Sequence, residues 1–243
     1  MPSIPKWLGN TMEKLSGKFF HPVEVTQIEY YTSGLKRVRL EGDLRKTAFI
    51  AGNVVEFRIS DTEYRHYTPS YYDTVNGICD IVFYLHDCGE GSRWAEALDT
   101  GDKVKLIGPG NRMNFRPEFR EHFVFGDETS LGLMTAIETA SKEEERSFFG
   151  LAELDREHLF WTDFFKNTGV KAVESSMEHP AGPAIAMLEE WEPSFWEVSG
   201  DTCFYLTGRA KSIQSMRKYL LSKGISGKRI YTYPYWAEGK KGL

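Results

Sequence analysis

A chain of 243 residues with 41% hydrophobic and 14% aromatic side chains has apolar material for one large core or two small ones, which excludes wholesale disorder. A net charge of −5 without a long basic stripe argues against nucleic acid as the main partner. Cys79, Cys88 and Cys203 lie far apart with no C-x-x-C pair, which disfavours a zinc site or a disulfide framework and fits a reducing, cytoplasmic setting; no apolar run reaches membrane length, so no membrane partner is expected.

Residues 1–20 form an N-terminal extension. Trp7, Leu8, Met12 and Leu15 fall near helical spacing there and predict a short amphipathic helix. From 21 to 117 the signals are β. Residues 23–31, 35–40, 54–59, 64–71, 78–85 and 103–107 are short runs rich in Val, Ile, Tyr and Phe, punctuated by turns such as Ser33-Gly34 and Asn76-Gly77. They predict a six-stranded antiparallel β-barrel.

The fourth run carries Arg65-His66-Tyr67-Thr68. Alternation in a strand puts Arg65 and Tyr67 on one face, with Thr68 at the strand end. A guanidinium offers a planar fork of donors that matches a pyrophosphate. The tyrosine two residues on suits a flavin's ribityl chain or ring, and the threonine can reach a ring nitrogen. Pro69 then stops the ladder, having no N–H to donate. The plainer reading is an exposed strand alternating charge with aromatic.

After Leu85-His86, the glycines Gly89 and Gly91 flank a helix start with Ser92 as expected N-cap and Trp94 on the helix. Free N–H groups there favour phosphate; an ordinary capped helix has the same look. The linker is placed at residues 111–120, with Arg112 and Arg116. From 118 to 243 strands and helices alternate. Strands are expected at 122–125, 146–151, 170–174, 203–206 and 229–233, and helices at 130–140, 158–166, 184–191 and 211–222. This α/β pattern means a parallel sheet with crossover helices, which bind ligands at the carboxyl ends of their strands. The G-x-G-x-x-G fingerprint is missing. Thr129 or Ser130 is expected to cap the helix after the first strand. Asp127 and Glu128 would repel a pyrophosphate, so an uncharged nicotinamide is expected there. Arg209 and Lys211 follow a later strand and suit an adenosine phosphate; plain helix capping is the alternative. Pro234 is expected to end the last strand, with Tyr235 and Trp236 beyond it.

Arg65-x-Tyr67-Thr68, Leu85-His86, Gly91-Ser92-Arg93-Trp94-Ala95, Gly101-Asp102, Gly108-Pro109, Gly126-Asp127-Glu128-Thr129 and Tyr235-Trp236 with Gly239 occur in this order. Together, across roughly residues 20–240, they resemble the siderophore-interacting protein family of flavin-dependent ferric-siderophore reductases, in the ferredoxin-reductase-like superfamily. The resemblance implies an α+β two-domain chain: a FAD-binding barrel followed by an NAD(P)H-binding α/β domain. It implies cytoplasmic reduction of siderophore-bound Fe(III), releasing Fe(II). Arg65, His66, Tyr67, Thr68, His86, Gly91, Ser92 and Trp94 would then contact FAD, with Thr68 at the ring edge. Asp127, Thr129 and Arg209 would face the nucleotide, with Thr129 bordering the nicotinamide, and Trp236 would cover flavin or adenine. Thr68 and Thr129 are the expected catalytic positions. Arg112, Arg116, Lys240 and Lys241 are the expected contacts for an anionic ferric siderophore. Ser70 stands where the family often has a basic residue. Ser130-Leu131-Gly132-Leu133 and Gly208-Arg209-Ala210 also depart from the family pattern, and some relatives take electrons from ferredoxin, so the donor stays open. Another flavin reductase with a different acceptor, or a non-catalytic siderophore-binding relative, are the alternatives.

Overall fold

The computed structural model describes residues 20–86, 89–165, 169–191 and 199–240. The helix expected within residues 1–20 lies outside them, except that Phe20 begins a strand. The chain divides between Asn114 and Phe115 into two compact units.

The first unit holds seven strands: β1 (Phe20–Thr32), β2 (Leu35–Gly42), β3 (Val54–Arg58), β4 (Tyr64–Tyr67), β5 (Tyr71–Asp73), β6 (Ile78–Tyr84) and β7 (Lys103–Gly110). They form one antiparallel sheet in the order β4-β3-β7-β1-β2-β6-β5. Seven strands stand where the sequence predicts six, because Pro69 splits the expected run at 64–71 into β4 and β5. These two strands are the opposite edges of the sheet. Laid flat, seven strands would set the edges about 29 Å apart, yet the chain from Tyr67 to Tyr71 can span only about 14 Å. The sheet therefore curls on itself, as a barrel does.

Its inner face is the apolar register of each strand. Val38 and Leu40 on β2, Val55 and Phe57 on β3, and Ile81 and Phe83 on β6 are buried in one cluster. At the turn into β6, Gly77 has φ +71°, and a Cβ there would fall 2.0 Å from the Gly42 carbonyl oxygen; this turn accepts glycine alone. A helix, α1 (Glu90–Glu96), links β6 to β7. The fully buried Lys36 of β2 fixes its far end. Its Nζ donates to the carbonyls of Ala95 (2.9 Å), Glu96 (3.0 Å) and Leu98 (2.7 Å), the orphan acceptors that a helix C-terminus leaves.

The second unit is a five-stranded parallel sheet in the order β10-β9-β8-β11-β12. Its strands are β8 (Glu121–Gly126), β9 (Ser147–Leu154), β10 (Val170–Glu174), β11 (Thr202–Arg209) and β12 (Ile230–Trp236). Among the described residues three helices cross between them: α2 (Leu131–Glu143), α3 (Gly182–Glu189) and α4 (Ala210–Ser222). All eight residues of β11, which lies inside the sheet between β8 and β12, are buried, as helices on both faces of a parallel sheet require. Two expectations are corrected. The segment expected as a helix at 158–166 is a run of 3-10 turns, Arg156–Phe165. Nor does Pro234 end the last strand: it pairs opposite Gly208, and β12 continues to Trp236. β12 is an edge strand, so its missing N–H faces no second neighbour.

At the start of β8, His122 is buried against Phe115, with ring centroids 4.3 Å apart, and its Nδ1 lies 3.3 Å from the Tyr205 hydroxyl. Burial pulls its pKa down to about 4 from the ordinary 6.5. A base whose folded pKa lies below its unfolded one supports the fold above the unfolded value, and that support is lost as pH falls through the folded value. Urea unfolding of wild type and His122→Gln should therefore diverge in pH dependence between pH 6.5 and about 4, with the wild type falling more steeply. Parallel curves would show that His122 keeps no neutral state in the fold.

Candidate functional site

In the first unit the candidate site is built on β4 and the start of α1. A Cβ placed on Gly91 would fall 2.7 Å from the Tyr67 hydroxyl and 3.4 Å from Arg65 Cγ. Arg65 and Tyr67 thus share the face expected from alternation, and the backbone of α1 lies directly on them. The Arg65 guanidinium donates from Nη1 to the Tyr64 carbonyl at 2.8 Å and pairs through Nη2 with Glu63. Tyr67 packs edge-on against Phe83, centroids 4.8 Å apart, and burial raises its phenol pKa. Trp94 stacks on Phe57 at 5.3 Å, extending the same aromatic group inward. Thr68 is buried just past the strand end.

Ser92 is placed differently from expectation. Gly89 is the N-cap, without a side-chain cap bond. The Ser92 hydroxyl instead donates to the His86 carbonyl (2.6 Å) and accepts from the His86 N–H (2.8 Å), stapling the loop before α1 to the helix. The His86 ring lies 5.4 Å from that of Tyr84. His66 alternates to the opposite face from Arg65 and Tyr67, with Nε2 3.7 Å from Glu56 Oε1. Burial first, and the Arg112 charge second, lower its pKa to about 4, so it is neutral near pH 7. Ser70 is also structural: its N–H and hydroxyl both meet the Asp80 carbonyl oxygen, at 2.9 and 3.2 Å.

In the second unit the carboxyl ends of β8 and β11 meet at Asp127. This buried carboxylate caps the turn Glu128–Ser130, accepting from the Thr129 N–H at 3.0 Å and from the Thr129 hydroxyl. Ser130 in turn accepts from the Asp127 N–H at 3.3 Å, closing a capping box, and it is the N-cap of α2 as expected, though without a side-chain bond to that helix. The other Asp127 carboxylate oxygen accepts from Trp236 Nε1 at 2.6 Å. Gly208 has φ +87°, and a Cβ there would fall 2.5 Å from the Asp127 carboxylate. Burial raises the pKa of Asp127, and likewise of Glu128 and Glu153. Glu128 Oε1 accepts from the Asp155 N–H at 2.8 Å and lies 2.9 Å from His158 Nδ1.

Arg209 is buried and committed. Its Nε donates to Glu238 Oε1 at 2.6 Å, Nη2 pairs with the same oxygen, and Nη1 donates to the Ser176 carbonyl at 3.2 Å. The guanidinium lies 5.9 Å from the Trp236 ring centre. The structure thus brings Asp127, Thr129, Arg209 and Trp236 into one cluster. Arg116 lies 4.7 Å over the Tyr231 ring, and its N–H donates to the Tyr205 hydroxyl at 3.1 Å. Arg112 and Lys240 are exposed, and Lys241 lies outside the described residues.

Sequence reasoning missed Lys36 and Glu238. Lys36 had a signal: it occupies the inward register of β2 with Val38 and Leu40, where a lysine needs a buried partner. Glu238 had none, because its role depends on where β12 ends beside β11.

This two-unit order, an antiparallel sheet followed by a parallel α/β sheet, is the fold of the ferredoxin reductase in carbazole 1,9a-dioxygenase, with a TM-score of 0.72 at 20% identity over 89% of this chain and 68% of that one. Residues 57–113, within the first unit, match the family model of the siderophore-interacting FAD-binding domain. The resemblance read from the sequence is borne out. Over 178 residues the chain is 27% identical to the ferric vibriobactin reductase ViuB of Vibrio cholerae, covering 72% of this chain and 65% of that protein. Over 180 residues it is 23% identical to the NADPH-dependent ferric-chelate reductase of Escherichia coli, covering 71% and 65%. The matches thus span 65% of the length of these relatives. A siderophore utilization protein from T. fusca has the same fold, with a TM-score of 0.72 at 21% identity over 92% of this chain and 95% of that one. Among the described residues no helix is long and apolar enough to cross a membrane.

Proposed function

We propose that this protein is a FAD-dependent ferric-siderophore reductase. It takes electrons from NAD(P)H, or from a ferredoxin, and passes them to Fe(III) held by a siderophore, so that iron leaves as Fe(II) in the cytoplasm. One observation carries the reading: the segment matched to the siderophore-interacting FAD-binding domain contains Arg65 and Tyr67 on one strand with Gly91 packed closely on both. These residues fit the cofactor. A partly exposed guanidinium suits a pyrophosphate, and a glycine pressed against the Tyr67 hydroxyl and the Arg65 stem keeps side-chain bulk out of the way. Bound FAD supplies the redox chemistry, taking electrons in pairs and releasing them singly. The chain supplies position and charge. Arg65 would exchange Glu63 for the pyrophosphate, Tyr67 would pack along the flavin, and Thr68 would bond the ring edge. The staple between Ser92 and His86 would hold the α1 loop in place. Asp127 would fix Thr129 beside the nicotinamide, since it accepts both the hydroxyl and the N–H of that residue.

The purified holoprotein should be yellow. Mixed anaerobically with NADH, NADPH and reduced ferredoxin in parallel, its flavin should bleach with at least one donor. Adding a ferric siderophore should restore the colour while Fe(II) appears in a chelator. A colourless protein would support the non-catalytic alternative, and a reduced flavin that ignores ferric siderophores would support another acceptor.

The substrate is commonly anionic, and the exposed cations Arg112 and Lys240, with Arg116 and Lys241, are its proposed contacts. Replacing Lys240 and Lys241 together by Gln should raise the KM for an anionic ferric siderophore and flatten its salt dependence, because salt screens exposed charges. The rate of flavin reduction by the donor is the control. An unmoved KM and salt profile would turn attention to Arg112 and Arg116.

A further inference from the structure

The second unit presents an arginine where a parallel sheet binds ligands, and a glutamate already holds it. Arg209 ends β11, at the carboxyl edge of the sheet. In dinucleotide-binding sheets an arginine near this edge accommodates the ribose 2′-phosphate of NADP, whereas an acidic residue there receives the 2′-hydroxyl of NAD. Here Glu238 bonds Arg209 through Nε at 2.6 Å and pairs with Nη2, and its second oxygen lies 3.8 Å from Lys211. Both cations of the expected phosphate site therefore face one carboxylate. Nη1 is spent on the Ser176 carbonyl. Asp127, Glu128 and Glu153 add buried acidic groups at the ends of β8, which adjoins β11, and of β9 beyond it. An incoming phosphate dianion would have to expel Glu238 and remain beside these groups.

We propose that Glu238 makes the nucleotide site selective for NAD over NADP, by occupying Arg209 and Lys211 and by offering a carboxylate to a free 2′-hydroxyl. This rests on the reading of the second unit as nucleotide-binding. It sets this chain apart from a relative named for its NADPH dependence. Selectivity here would come from subtraction: the arginine suited to a phosphate is present, and its capacity is withheld. Glu238 is exposed, and its partners belong to β11 and the start of α4, so an isosteric change leaves the sheet intact.

Calorimetry with oxidised holoprotein tests this directly, using NAD+ and NADP+ as probes that differ only in the 2′-phosphate. Wild type should bind NAD+ at least about tenfold more tightly. Glu238→Gln frees a guanidinium for a charge-assisted contact, so the ratio should move toward NADP+ by roughly tenfold or more. The double variant Glu238→Gln with Arg209→Met should lose that gain. A wild type that prefers NADP+, a ratio unmoved by Glu238→Gln, or no binding of either nucleotide to either protein would each overturn the proposal. The wider reading is judged separately in the same preparations. Chemically reduced holoprotein either reduces a ferric siderophore or does not, whichever nucleotide binds.

Discussion

Replacing Arg65 by Ala should weaken FAD binding by roughly ten- to hundredfold, the worth of a charge-assisted contact of about 1.5–3 kcal/mol. The measurement is the flavin retained through gel filtration, followed by titration of apoprotein with FAD. The ion pair with Glu63 supplies a control. If Arg65 serves only to neutralise Glu63, Glu63→Gln should leave FAD affinity where it was and stability should carry the effect. If Arg65 faces the pyrophosphate, Glu63→Gln frees the guanidinium, and FAD should bind at least as tightly as in wild type. An Arg65→Ala protein that keeps FAD as firmly as wild type would end the assignment of β4 as the cofactor strand.

The second large effect is expected at Lys36, which is not among the proposed substrate contacts. Lys36→Met keeps the length and apolar stem of the side chain and removes three donated bonds to the end of α1. Buried carbonyls left without donors are expensive, so the first unit should lose on the order of 3 kcal/mol of stability. Because α1 also carries Gly91 against Arg65 and Tyr67, FAD retention should fall with it. Denaturant unfolding followed by tryptophan fluorescence reports the first effect, and flavin content the second. A variant as stable as wild type would mean that water replaces the ammonium, and that Lys36 is no anchor.

Much of the fold was legible because period and punctuation agree. Alternation in β2, β3 and β6 and the turn at Asn76-Gly77 announce an antiparallel sheet, and the strand–helix alternation after Phe115 announces a parallel one. Errors arose where a residue's local rule met a tertiary exception. Pro69 splits a strand as its chemistry dictates, and the two pieces become opposite edges of the sheet. Pro234 sits inside a strand because β12 is an edge. Ser92 looks like an N-cap, but its hydroxyl is taken by the His86 backbone. The candidate site was legible to the same degree. The shared face of Arg65 and Tyr67 follows from a period of two. The bond between Asp127 and Trp236 joins residues far apart in the chain, and no local pattern could announce it.

The place of β7 in the sheet bears on how the chain is made. β7 lies between β3 and β1 and joins two otherwise separate ribbons, β4-β3 and β1-β2-β6-β5. It is also the last strand of its unit to leave the ribosome. Until residues 103–110 emerge, β1 and β3 each keep an open edge of backbone donors and acceptors, the kind of edge that recruits other chains. The sheet of the first unit can therefore be completed only when its final strand arrives. A chain that stalls or is cut before Lys103 would carry most of the residues around Arg65 on two ribbons joined by their connecting loops but by no strand pairing.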